Sequence, residues 1–168
     1  IDPSRWGQQG FSKSLERFAA EVESGASQLM VDASKHKVLV RVVDVVLLRL
    51  ALRCGDTTLY LIVSADEQLD SRVRRDLNRI PGTKKKSYEN AMAACERILK
   101  EMPEVLSLGS NVSFNFDKEV FEEEEESPSY PGVRTVYRKE IVEGFIDVPL
   151  EEEQDSTSKS AAARACMY

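Results

Sequence analysis

The stretch VLVRVVDVVLLRLAL, Val38 to Leu52, limits the possible folds more than any other part of the chain. Its density of valine and leucine, with many β-branched side chains, favours an extended backbone. Arg41, Asp44 and Arg49 break it well short of the roughly 20 apolar residues that a membrane helix needs. The segment from Lys37 to Leu52 therefore reads as one long strand, straight or bent. CGD then predicts a turn and TTLYLIV a second strand, making the pair a hairpin.

Helical spacing appears on both sides of this pair. In FSKSLERFAAEVESG, Phe11, Leu15, Phe18, Ala19 and Val22 recur at helical intervals, and Gly25 suits a left-handed helix end. Ahead of that helix, IDPSRWGQQG is aperiodic and predicts an arm, residues 1–10, whose Trp6 docks on something apolar. Further on, Ala91, Ala94, Cys95, Ile98, Leu99 and Met102 form an apolar stripe ended by Pro103, with Ser87 as the expected N-cap. Between hairpin and helix, SADEQLDSRVRRDLNR is too highly charged for a core strand and predicts a loop with one helical turn. VSFNFDKEVFEE, with Val112, Phe114 and Phe116 inward, and RTVYRKEIVEGFIDV, around Val136, Ile141, Val142 and Phe145, read as strands joined by a turn at SPSYPG.

The 168 residues suit one main domain, residues 11–150, followed by a low-complexity tail, 151–168. A net charge of −6 argues against general nucleic-acid binding, which depends on Lys and Arg neutralising phosphates. That charge is unevenly spread. Arg72, Arg74, Arg75, Arg79, Lys84, Lys85 and Lys86 face only Asp76 in their stretch, whereas FEEEEE and LEEE collect acid later. The seven basic residues are candidates for holding phosphates or docking an acidic partner. The run Glu122 to Glu126 reads as solvated and mutually repelling rather than as a calcium site, because consecutive residues point in different directions.

Cys54, Cys95 and Cys166 show no paired spacing, and an odd number fits a reducing, intracellular compartment. With His36 the only histidine, neither a zinc site nor a histidine-based catalytic pair is expected. Cys95, on the apolar stripe, reads as a buried inert thiol. The chain starts at Ile1 rather than Met, which suits either a removed leader or a trimmed chain.

One motif carries chemistry. RIPGTKKKSYENAMAACERILKEM, Arg79 to Met102, resembles the box of the Nudix hydrolase family, G-x5-E-x7-R-E-U-x-E-E-x-G-U with U bulky and apolar. IPGTK stands where that family has LPGGK, which sets Thr83 at the box's first glycine, Glu89 at its first glutamate and Arg97 at its arginine. Leu99, Glu101 and Val105 keep the family's residue type, while Ile98, Met102 and Glu104 stand where it has two glutamates and a glycine. The resemblance is close from Leu77 to Val105 and extends to the flanking strands by order and type.

It implies an α/β fold, a Nudix-type α/β/α sandwich with a mixed sheet. It also implies chemistry in which clustered helix carboxylates hold magnesium and activate water against a diphosphate linkage. With the cluster reduced to Glu101 plus upstream Glu89, no catalytic residue, metal or cofactor is expected. If the box is active, Glu89, Arg97 and Glu101 are its catalytic set, with Glu89 and Glu101 as the magnesium ligands.

The leading expectation is a non-catalytic Nudix-like subunit that grips other proteins through its arm, basic stretch and tail. The alternatives are a divergent magnesium-dependent hydrolase of nucleoside diphosphate derivatives and a nucleotide sensor without turnover. YPGVRTVYRKEIVEG is similar to segments of algal proteins, which points to a plastid assembly after leader removal.

Overall fold

The computed structural model describes residues 2–8, 12–32, 38–67, 73–107 and 112–147. For Arg5, Cys54, Asp66, Glu67, Val73, Arg74, Arg75, Asp76, Lys118 and Asp147 only the backbone is described. Phe11, His36, Arg72, Cys166 and the tail 151–168 lie outside the described residues. The fold is α/β with a mixed sheet, and no described helix is long and apolar enough to cross a membrane.

The valine-rich segment forms strand β2, Val38–Cys54, and most of the other strands pair with it. Along one edge it meets β1 (Gln28–Asp32), β6 (Gly82–Lys84) and β3 (Thr57–Tyr60) in turn. Gln28 lies opposite Val42 in β1, and Ala51 lies opposite Tyr60 in β3, both antiparallel. At β6 the Leu48 N–H donates to the Pro81 carbonyl at 2.8 Å and the Lys85 N–H to the Asp44 carbonyl at 2.8 Å, again antiparallel.

On its other edge β2 meets β8, Arg134–Asp147, which pairs in turn with β7, Val112–Glu126. The charge pairs Asp44 with Arg138 and Arg49 with Glu143 advance in the same direction along both strands. β2 and β8 are thus parallel, and parallel neighbours need a long crossover, here supplied by everything between them.

Two compact units are described separately. The first comprises described residues within Ile1–Val46, Lys84–Ala94 and Glu119–Glu140, and the second those within Leu47–Thr83, Cys95–Lys118 and Ile141–Tyr168. In the first unit, α1 (Leu15–Glu23) starts on Ser14, whose hydroxyl accepts the Arg17 N–H, and ends before Gly25 at φ 71°. A side chain at Gly25 would meet the Ser87 hydroxyl at 2.8 Å, so both conformation and space call for glycine.

The inward face of α1 is narrower than its sequence predicts, since Phe18 is buried and Val22 half-buried while Leu15 and Ala19 are exposed. Trp6 docks as expected. Its ring centroid lies 5.0 Å from Phe18 and 5.2 Å from Tyr130, its indole N–H donates to the Pro131 carbonyl at 3.0 Å, and Val133 completes the cluster.

In the second unit, Leu48, Leu50, Ala51, Cys95, Ile98, Leu99, Val142 and Ile146 are buried. Gly144 lets β8 close on them, because a Cβ there would stand 2.8 Å from Leu50 Cδ1. Phe116, expected to point inward, is 43 % exposed.

Two local expectations are corrected. The charged stretch after Ser64 is not a loop but a two-stranded ribbon, β4 (Val63–Glu67) with β5 (Val73–Arg79). Its register sets Asp66 opposite Arg74 and Ala65 opposite Arg75. The register shifts between Val63 and Ala65, and Asn78, at φ 41°, is in the left-handed conformation that asparagine tolerates best after glycine.

The second correction concerns α2, which runs Ala91–Lys100 and is followed by a short helix α3 at Pro103–Leu106. Its cap is Asn90, whose side-chain oxygen accepts the Ala93 N–H at 2.9 Å, not Ser87, which lies in the preceding turn. Asn90→Ala should therefore lower stability by about 1 kcal/mol, and Ser87→Ala by much less. Urea denaturation of the two variants checks this, and the reverse ranking would restore Ser87 as the cap.

Candidate functional site

Thr83, Glu89 and Arg97 are engaged within the chain. The Arg97 guanidinium donates to the Thr83 hydroxyl at 2.7 Å, so the residue at the family's glycine position holds the family's arginine. Glu89 precedes α2, and its carboxylate accepts the Lys86 N–H at 3.0 Å while its own N–H donates to the Lys86 carbonyl. Glu101 follows the last helical residue and is exposed, and the apolar replacements Ile98 and Met102 are buried and half-buried.

The seven expected basic residues do not act alike. Arg74 and Arg75 sit at register positions opposite Asp66 and Ala65, and Arg79 is exposed. The three lysines diverge because successive strand residues point to opposite faces. Lys84 turns inward to Glu21, Lys85 lies 3.8 Å from Glu140, and Lys86 is exposed with its ammonium 5.8 Å from the Tyr88 ring centroid.

The glutamate run is exposed, as its charge predicts, and has partners. It lies on β7 facing β8, where Glu123 pairs with Lys139, Glu124 with Arg134, and Glu122 lies 3.8 Å from Arg138. Cross-strand cations, rather than solvent alone, offset its repulsion. Cys95 is a buried thiol outside any disulfide, as its place on the stripe predicts.

The densest polar cluster in the first unit was not foreseen. Glu21, on the inward side of α1, accepts from Lys13 Nζ at 2.8 Å through one oxygen and from Arg41 Nη2 and Lys84 Nζ, each at 2.6 Å, through the other. Arg41 is 1 % exposed, and its guanidinium carbon lies 5.1 Å from the centroid of the fully buried Tyr130 ring. Three cations thus meet one carboxylate.

Ionisation follows from this arrangement. Burial works against the Glu21 carboxylate, but the bonds from Lys13 and Lys84 outweigh it and hold its pKa down at about 2. Burial pulls Lys84 down to about 8, helped by the charges of Arg41 and Lys13 and opposed by Glu21. The Tyr130 phenol is pushed well above its usual value, first by burial and then by the Glu21 charge.

Among the described residues, Arg41 Nε and the Ser27 hydroxyl are buried without a hydrogen-bond partner, and the buried Tyr130 hydroxyl has Glu21 as its polar neighbour. Sequence parity offers one signal for this site. Arg41 lies in a run of residues that must be covered, so it requires a carboxylate, and Glu21 stands three residues after Phe18 on the face of α1 that packs inward.

Comparison of the chain with protein-family models, with curated proteins and with solved structures finds no match.

The Glu21 pKa sets a pH dependence. A carboxylate whose folded pKa of about 2 lies below its reference of 4.5 stabilises the fold fully above 4.5 and loses that contribution as pH falls towards 2. Glu21→Gln leaves Arg41 buried without its carboxylate and should cost about 3 kcal/mol near neutral pH. The gap between the two proteins in urea denaturation should narrow below pH 4.5. A gap constant down to pH 2 would contradict this assignment.

Proposed function

We propose that the chain is a non-catalytic Nudix-like module that works as a structural or interaction subunit of a larger assembly. The observation that carries the non-catalytic half is the engagement of the box's remaining polar residues, Arg97 on Thr83 and Glu89 on the Lys86 backbone. Glu89 and Glu101 flank α2 in the chain, one before its first residue and one after its last. Ile98 and Met102 lend their side chains to packing instead of to a ligand set.

The interaction half is supported by β1. Among the described strands it pairs with β2 alone, and Leu29, Met30 and Val31 are all exposed on it, as are Val38 and Leu39 on the β2 segment opposite. Edge strands left open are usually guarded by charge, as β7 is by its glutamates, whereas the centre of β1 is apolar. An apolar edge of this kind suits a protein partner that adds a strand or covers the face.

Two measurements test the two halves. Incubation of the purified chain with magnesium and a panel of nucleoside diphosphate derivatives should release no product above background. Release that disappears in Glu101→Gln would establish the hydrolase reading instead. A photo-crosslinking residue at Val31, introduced in the native host, should join the chain to a discrete partner protein, and its absence from any crosslinked product would count against the interaction reading.

A further inference from the structure

We propose that the occupant of the apolar β1 edge is β1 of a second copy of this chain, paired antiparallel about a two-fold axis at Met30. The inference rests on the interaction reading of β1 given above and names its partner.

The order of side chains along β1 provides the first argument. Its sequence, QLMVD, is apolar at the three central positions and polar at both ends. Antiparallel pairing with Met30 opposite Met30 sets Leu29 opposite Val31 and Gln28 opposite Asp32, each twice, as a two-fold axis requires. Every apolar residue then meets an apolar residue, and each carboxylate meets a carboxamide able to donate to it. Parallel pairing in register would instead set Asp32 against Asp32. Centring the axis on Leu29 would leave Val31 opposite Ser27. Self-pairing thus has one favoured register.

The strand beside β1 provides the second argument. Cross-strand neighbours share a face, and the register on β2 sets Val31 beside Leu39 and Met30 beside Val40. In the paired form Leu39, Val31 and Leu29 of the second copy make one apolar row across the join. Val40, Met30 and their counterparts in the second copy make another row on the opposite face. Leu29, Met30, Val31 and Leu39 are 39 %, 49 %, 59 % and 38 % exposed in the single chain, so both rows cover apolar surface that one copy leaves open.

Charge does not oppose the pairing. Asp32 is the only ionisable residue of β1, and the Arg134 guanidinium holds it at 3.0 Å. Its charge is thereby offset, and the edge calls for no partner of opposite sign. Lysine, proline or a bulge would guard such an edge, and β1 has neither residue and pairs with β2 without a shift in register. Five strand residues span roughly 17 Å, less than a standard interface, so micromolar dissociation is expected.

Sedimentation equilibrium of the full chain between about 1 and 500 µM should show reversible monomer–dimer exchange. Val31→Lys should weaken association at least tenfold, while Tyr60→Lys, equally exposed on β3, should leave it unchanged. Leu29→Glu should weaken it too, and mixing the two β1 variants should restore it, because the new carboxylate at 29 on one copy faces the new ammonium at 31 on the other. Circular dichroism checks that each variant is folded, and if Leu29→Glu is not, Val31→Lys against Tyr60→Lys decides alone. A chain monomeric throughout the range, or a dimer that Val31→Lys leaves intact, would overturn the proposal. The photo-crosslink from Val31 should join two copies of this chain. A crosslink to a different protein alone would overturn self-pairing and leave the interaction reading standing, whereas no crosslink of any kind would end both.

Discussion

A guanidinium buried to 1 % exposure needs a carboxylate beside it, and for Arg41 that carboxylate is Glu21. The rest of the first unit is arranged around this pair. Phe18 and Val22 bring α1 into packing contact, but apolar contact is non-directional and would tolerate rotation of the helix. The bond between Glu21 and Arg41 selects one rotation. Lys13 ahead of α1 and Lys84 from β6 bond the same carboxylate, so three chain segments share one anchor. Trp6, Phe18 and Tyr130 then close over apolar surface, with the Phe18 and Tyr130 rings 4.9 Å apart and edge to face.

The same anchor changes the meaning of the lysine run. Read as a sequence, Lys84 to Lys86 is a single basic patch next to a hydrolase-like box. In the fold it is a strand end whose pleat sends Lys84 to Glu21, while Thr83, one residue earlier, holds Arg97. The side chains of this stretch thus serve local structure.

How much of this was legible in the sequence depended on periodicity. β2, the turn at Gly55 and β3 were legible because β-branched density and a turn signal coincide there. The stripe of α2 was legible from its spacing, and Ala94, Cys95, Ile98 and Leu99 are buried. The β4–β5 ribbon was not, since its sequence lacks apolar alternation and its charge imitates a loop. The Glu21 cluster was hidden because its members are distant along the chain, from Lys13 to Lys84, and only the cost of burying Arg41 connects them. Asn90 was masked by Ser87, an equally good cap by residue type that lies three positions too early.

A double-mutant cycle on Glu21→Gln and Arg41→Met tests most directly whether this pair anchors the unit. If it does, urea denaturation will give a coupling energy of about 1–3 kcal/mol, with the double variant more stable than the sum of the single losses implies. If the two losses add to within about 0.5 kcal/mol, the pair is incidental to the fold and the anchor must be sought in the aromatic cluster alone.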